Sequence, residues 1–151
     1  MSYRLEKAIQ KLYVAFHNNH LHPECCQQCA VGNILDNKDA WKHLSDDHGS
    51  IHLNYLGLVH QNLGRKFNGY TPYELLQIEA KFLEGCGYSL PLHHTGKKPK
   101  NPQDKDILFN GLSETVKFLC ELDGLKNVMD YSKLFEIENE KPRYSLSEVV
   151  A

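Results

Sequence analysis

Leu5, Ala8, Ile9, Leu12, Tyr13 and Phe16 fall at steps of three and four along the chain. An α-helix, with about 3.6 residues per turn, brings residues so spaced onto one face, where a strand would scatter them over both. The spacing predicts a helix over 2–17, with Arg4, Glu6, Lys7 and Lys11 toward water and Asn18-Asn19 as its end. The same period returns after Thr71-Pro72-Tyr73-Glu74. There a threonine can cap, a proline suits the first helical position and a glutamate three residues on can complete a capping box. That helix is predicted to run to about Glu84, with Leu75, Leu76, Ala80, Phe82 and Leu83 inward and Gly85 or Gly87 as its stop. Asn101-Pro102 repeats the cap-then-proline pattern and predicts a last long helix to about Asp123, with Gly124 ending it.

Between these segments the signals are weaker. Pro23 suits the first turn of a second helix, Asp36-Asn37-Lys38-Asp39 reads as a turn, and Trp41 with Leu44 reads as a short anchor on the core. Residues 51–67 carry two periods. Ile51, Leu53 and Tyr55 alternate like a strand, whereas Leu56, Val59, His60, Leu63 and Phe67 step like a helix. The expected fold is all-α, a single compact domain of four or five main helices over 1–135, with a short strand near 51–55 as a variant. Val128 to Phe135 reads as one more short helix, and the polar stretch 136–151 as a flexible tail.

Composition narrows the function classes. A chain of 151 residues with 41% hydrophobic and 24% charged residues has the makings of one ordinary core. Seventeen basic against nineteen acidic side chains, a net charge of -2, give no basic face for nucleic acid. No apolar run is long enough for a signal peptide or a membrane span, so the expected compartment is cytoplasmic. A protein partner or a homo-oligomer stays open.

In a reducing compartment, clustered cysteines point to metal binding or catalysis before disulfides. The five cysteines are Cys25, Cys26, Cys29, Cys86 and Cys120, and the chain has nine histidines. The densest patch is His20-x-His22-Pro23-Glu24-Cys25-Cys26-x-x-Cys29. On a helix, at roughly 100° per residue, Cys29 lies about 40° from Cys25 and about 60° from Cys26 on the other side. Three sulfurs then share a face, with His20 and His22 in a linker beside them. Glu24 could ligate directly or accept a hydrogen bond from a ligand. Thiolate and imidazole are the donors of a zinc or ferrous site. The expected metal ligands are Cys25, Cys26, Cys29, His20 and His22. Only one Cys-x-x-Cys knuckle is present, and Cys86, His93 and His94 are the distant residues able to complete it.

Two readings compete with the metal site. In one, the cysteines are small core residues of a non-catalytic helical interaction module. In the other, Cys26-x-x-Cys29 is a thiol redox pair, although no strand precedes it as in thioredoxin-like sites. Asp46-Asp47-His48 offers a base or metal ligands, or a solvated loop. His60 and Cys120 read as core, and Lys97, Lys98 and Lys100 as a short basic loop.

The stretches Cys25-Cys26-x-x-Cys29-Ala30-Val31-Gly32-Asn33-Ile34-Leu35, Gly69-Tyr70-Thr71-Pro72-Tyr73-Glu74-Leu75 and Cys120-Glu121-Leu122-Asp123-Gly124 resemble a group of small bacterial proteins of similar length. Its members often carry the name of the flavin-bearing component of a Na+-translocating NADH-quinone reductase. That name implies an iron–sulfur cluster, a flavin domain and an NADH domain. The residues depart from it: Cys25, Cys26 and Cys29 lack the plant-type cluster spacing, Arg143-Tyr144-Ser145 lacks the intervening residue of the flavin motif, and no Gly-rich nucleotide loop is present. No flavin or NAD is expected, and no functional residue transfers from the resemblance.

Overall fold

A computed structural model describes residues 2–125. Val128 to Phe135 and 136–151, expected as a short helix and a tail, lie outside the described residues. The elements are α1 (Tyr3–His17), α2 (Ala30–Ile34), a 3-10 turn (Ala40–Leu44), α3 (Tyr55–Asn62), α4 (Pro72–Gly85) and α5 (Lys105–Leu122). The described residues form no sheet; an isolated bridge joins Phe67 to Tyr70. The fold is all-α, as the apolar spacing predicts.

The strongest sequence signal has the geometry it promises. Thr71 accepts from the Glu74 amide at 3.2 Å, and Glu74 accepts in return from the Thr71 amide at 2.9 Å. Two of the orphan donors at the start of α4 are thus satisfied. The helix ends where Gly87 takes a left-handed conformation. The predicted start of α5 is displaced. Asn101 accepts from the Gln103 amide to close a turn, and Asp104 caps the helix through the Asp106 amide, so α5 begins at Lys105. Asn101 and Asp104 each accept from the amide two residues on, and it is after Asp104 that the backbone continues as helix. Residues 51–54 form no strand. The Asn54 side chain accepts from the Gly57 amide and starts α3 there.

Helices α4 and α5 pair along their lengths, and α1 closes over α2 and α5. Their close crossing depends on Gly111: a Cβ there would lie 2.4 Å from the Cys86 sulfur and 3.0 Å from the Phe82 ring. The inward faces of α1 and α4 are those the spacing predicts, with Leu5, Ile9, Leu12, Leu75, Phe82 and Leu83 all essentially inaccessible to water.

Arg4 departs from the expected water-facing stripe. Its guanidinium donates to Asp123, Glu74 and the Gly69 carbonyl, and lies 4.6 Å from the centre of the Tyr70 ring. A cation near the start of α1 therefore ties together α4's first turn, the 69–70 connection and the end of α5. Helix α3 is the outlier in burial: Gly57 is its one buried residue, and Tyr55, Leu58 and Leu63 face outward.

Candidate metal centre

The cysteine-rich segment does not form a helix at Pro23. Residues 23–28 run as consecutive turns, and α2 starts at Ala30. The polar groups of the segment are committed elsewhere. The Cys26 carbonyl accepts from the Trp41 indole at 3.0 Å, and the His22 amide donates to the Gln28 carbonyl at 2.7 Å. The helix face expected to align three sulfurs is therefore absent. Cys25 and Cys26 are half-buried, whereas Cys29 has no exposure at all. His20 is exposed, and its carbonyl accepts from Asn33. His22 accepts from the Glu24 amide through Nδ1, and Glu24 accepts from the Tyr88 hydroxyl at 2.8 Å.

Of this patch, Cys29 is the residue that enters a donor cluster. It caps α2, its sulfur accepting from the Gly32 amide at 3.3 Å and donating to the Cys26 carbonyl at 3.6 Å. Across from it, in the middle of α4, Glu79 is 1% exposed. One Glu79 oxygen accepts from the Val31 amide at 3.2 Å, and the other lies 2.7 Å from His48 Nε2. One donor atom from each of Cys29, His48 and Glu79 falls within 4.8 Å of the other two. Three separate segments, α2's start, the loop before α3 and α4's centre, converge on this point.

His48 is fixed from several sides. Its carbonyl accepts from the Leu92 amide at 2.8 Å, and its ring meets the Trp41 indole edge-to-face at 5.8 Å. Gly49, next in the chain, has φ +89°, and a Cβ there would sit 2.9 Å from the Leu90 side chain. Glycine lets the loop turn away directly after His48 without that clash. A cleft of about 340 Å³, lined by Cys26, Trp41, Ser45, Asp47 and His48 among others, reaches the cluster at His48 alone; Cys29 and Glu79 do not line it.

The electrostatics of the cluster are those of buried negative charge. Burial, and then the Glu79 carboxylate, push the Cys29 thiol well above its ordinary range. The same two causes raise Cys26 and push Cys86 up to about 12. Glu79 is therefore felt by three thiols.

Sulfur, imidazole nitrogen and carboxylate oxygen are the donor types of protein zinc sites. With zinc–ligand bonds of about 2.0–2.3 Å, tetrahedral donors stand about 3.3–3.8 Å apart, so the His48 and Glu79 atoms, now 2.7 Å apart, would have to separate to share one ion. Cys86 and Cys120 are core residues, Cys86 beneath Gly111. His93 and His94 stack on each other at 4.3 Å in an exposed loop. None of these joins the donor group.

In the sequence, His48 belongs to an acidic loop with two readings, and Glu79 goes unremarked. Its signal lies in the α4 pattern: between Ile78 and Ala80, one turn after Leu75 and one before Phe82 and Leu83, it puts a carboxylate on the buried stripe. Charges almost never occupy such positions unpaired. No family model, curated protein or solved structure matches this chain. No helix among the described residues is long and apolar enough to cross a membrane.

Proposed function

We propose that this protein binds a divalent metal, zinc or iron, through Cys29, His48 and Glu79, with Cys26 or a water in the fourth position. The observation that carries the reading is the convergence of three unlike donor atoms from three chain segments within 4.8 Å, two of them on side chains that are almost wholly buried. A buried carboxylate beside a buried thiol is costly without a cation, because neither ionised group is well solvated. A protonated His48 would compensate Glu79 alone. A divalent ion would compensate both Glu79 and a Cys29 thiolate. Around the donors, the Val31 and Gly32 amides supply the outer hydrogen bonds that orient such ligands.

Three protein donors leave the fourth position of a tetrahedral site to an exchangeable ligand or to a further side chain from the cleft beside His48. Cys26 lines that cleft and is half-buried. The thiol redox reading is less well supported, since it needs a lowered thiol pKa and Cys26 and Cys29 are both raised.

The test is metal content and a spectroscopic substitute. Protein purified without an affinity tag should carry near-stoichiometric zinc or iron. The apoprotein should take up Co²⁺ with sulfur-to-cobalt charge-transfer absorption and tetrahedral visible bands. Cys29→Ser should remove the charge-transfer band, and His48→Gln and Glu79→Gln should each weaken uptake about 10–100-fold or more. A folded wild-type protein that takes up neither zinc nor Co²⁺ overturns the reading.

A further inference from the structure

Trp41 also lines a second concavity, of about 520 Å³, between the end of α2, the 3-10 turn, α3 and the 66–68 connection. Its wall is mostly carbon: Leu35, Trp41, Leu44, Leu56 and Phe67 contribute apolar surface. The volume lies within the range of small-molecule pockets, and an apolar wall with a few polar groups is their usual make-up. Three charged side chains stand around it: Asp36, Lys38 and Lys66. They are not equivalent. Asp36 is already held by Lys11 at 2.8 Å and by the Asn68 side-chain amide. Lys66 is exposed and forms no ion pair among the described residues. Lys38 on the rim also acts on Asp36, but with Lys11 already paired to that carboxylate from outside the lining, the two rim lysines outnumber it and the rim presents net positive charge above an apolar floor.

We propose that this pocket binds a small carboxylate with an apolar body, its anionic head at Lys38 and Lys66 and its chain or ring against Trp41, Leu44, Leu56 and Phe67. The site is distinct from the metal cluster, and the inference does not depend on the metal reading. Apolar bodies without charge would leave the two ammonium groups unused. A polar anion such as phosphate would leave the carbon wall wet. The amphipathic carboxylate satisfies both parts.

The chain has a single tryptophan, and Trp41 lines both this pocket and the cleft beside His48, so intrinsic fluorescence of metal-free protein follows binding at either, and variants at Lys38, Lys66 and Leu56 assign the response to this pocket. Octanoate and octanol serve as matched probes. Octanoate should change the Trp41 emission saturably, and octanol should bind about tenfold more weakly, the worth of one charge-assisted hydrogen bond. The double variant Lys38→Gln/Lys66→Gln, altered only at exposed positions, should lose that preference while still binding octanol. Leu56→Glu, at a position 46% exposed and therefore tolerant of charge, should weaken both probes. No saturable response to octanoate in the folded wild type overturns the proposal. So does equal binding of octanoate and octanol, or an octanoate affinity unchanged in both variants. A response that disappears at high protein concentration, as sedimentation shows dimer forming, also overturns it: the groove beside the outward-facing Tyr55 and Leu58 would then be covered by a second copy of the chain.

Discussion

Glu79 is the residue on which most of the local chemistry turns. It lies on the apolar stripe of α4, bonded to His48 and the Val31 amide, and its charge contributes to raising Cys26, Cys29 and Cys86. Glu79→Gln removes the charge while keeping the shape and an acceptor for Val31. In metal-free protein the Cys26 thiol should therefore titrate at lower pH in Glu79→Gln than in wild type. Iodoacetamide alkylation rate against pH, read by mass spectrometry at the half-buried Cys26, measures it. An unchanged midpoint would mean that burial alone, the largest cause of the shift, sets the Cys26 value. At this scale the sequence is partly legible. It points to Cys29 for its donor chemistry, but the shared helix face with Cys25 and Cys26 fails because that segment spends its carbonyls on turns and on Trp41. Proximity in sequence makes the cysteine run conspicuous. The partners that meet Cys29, at positions 48 and 79, are brought there by tertiary packing, which no local spacing encodes.

At the scale of elements, legibility follows the capping chemistry. The start of α4 is readable because Thr71, Pro72 and Glu74 each have a local physical role and all agree. The start of α5 is harder to read because Asn101-Pro102 and Asp104 both offer caps, and the choice depends on where α5 meets its neighbours. Residues 51–54 alternate like a strand, but no second strand is present among the described residues to pair with them, and Asn54 uses its side chain to open α3 instead. Two substitutions test this level. Thr71→Ala removes one side of the capping box and should cost about 1 kcal/mol in urea unfolding, with the slope of the transition unchanged. Gly111→Ala should cost more, about 1–3 kcal/mol, because its methyl would stand 2.4 Å from the Cys86 sulfur and against the Phe82 ring, deep between α4 and α5. If Gly111→Ala proved neutral, the two helices would have to be freer to separate than their buried interface indicates.

Across the whole molecule, the buried thiols and phenols tie stability to pH with a definite sign. Cys86 sits near 12 in the folded chain, against about 9 for an exposed thiol, and Cys29 is also raised well above that value. Below about pH 9 these thiols are protonated whether the chain is folded or not, so their burial imposes no pH dependence. Between about 9 and 12 the unfolded chain releases the Cys86 proton that the folded chain retains, and the unfolded state is favoured by about 1.4 kcal/mol per pH unit; Cys29 acts in the same direction above about pH 9. Tyr70 and Tyr88, raised chiefly by burial, add to the loss above about pH 10. The metal-free protein should therefore hold its urea midpoint through neutrality and lose it steeply on the alkaline side. On the proposed metal reading, zinc should change the sign at Cys29. A bound cation holds that sulfur as thiolate at neutral pH, so Cys29 no longer takes part in the alkaline loss. Acid should instead strip the ion, as protons compete for sulfur, imidazole and carboxylate. Zinc at a hundredfold excess over its dissociation constant should add about 2.7 kcal/mol near neutral pH. Urea midpoints measured from pH 5 to 10, with and without zinc, should thus give curves that diverge toward alkaline pH and converge in acid. Parallel curves would mean that any zinc bound does not displace the Cys29 proton, and that the cluster is a buried His48–Glu79 pair with a thiol beside it.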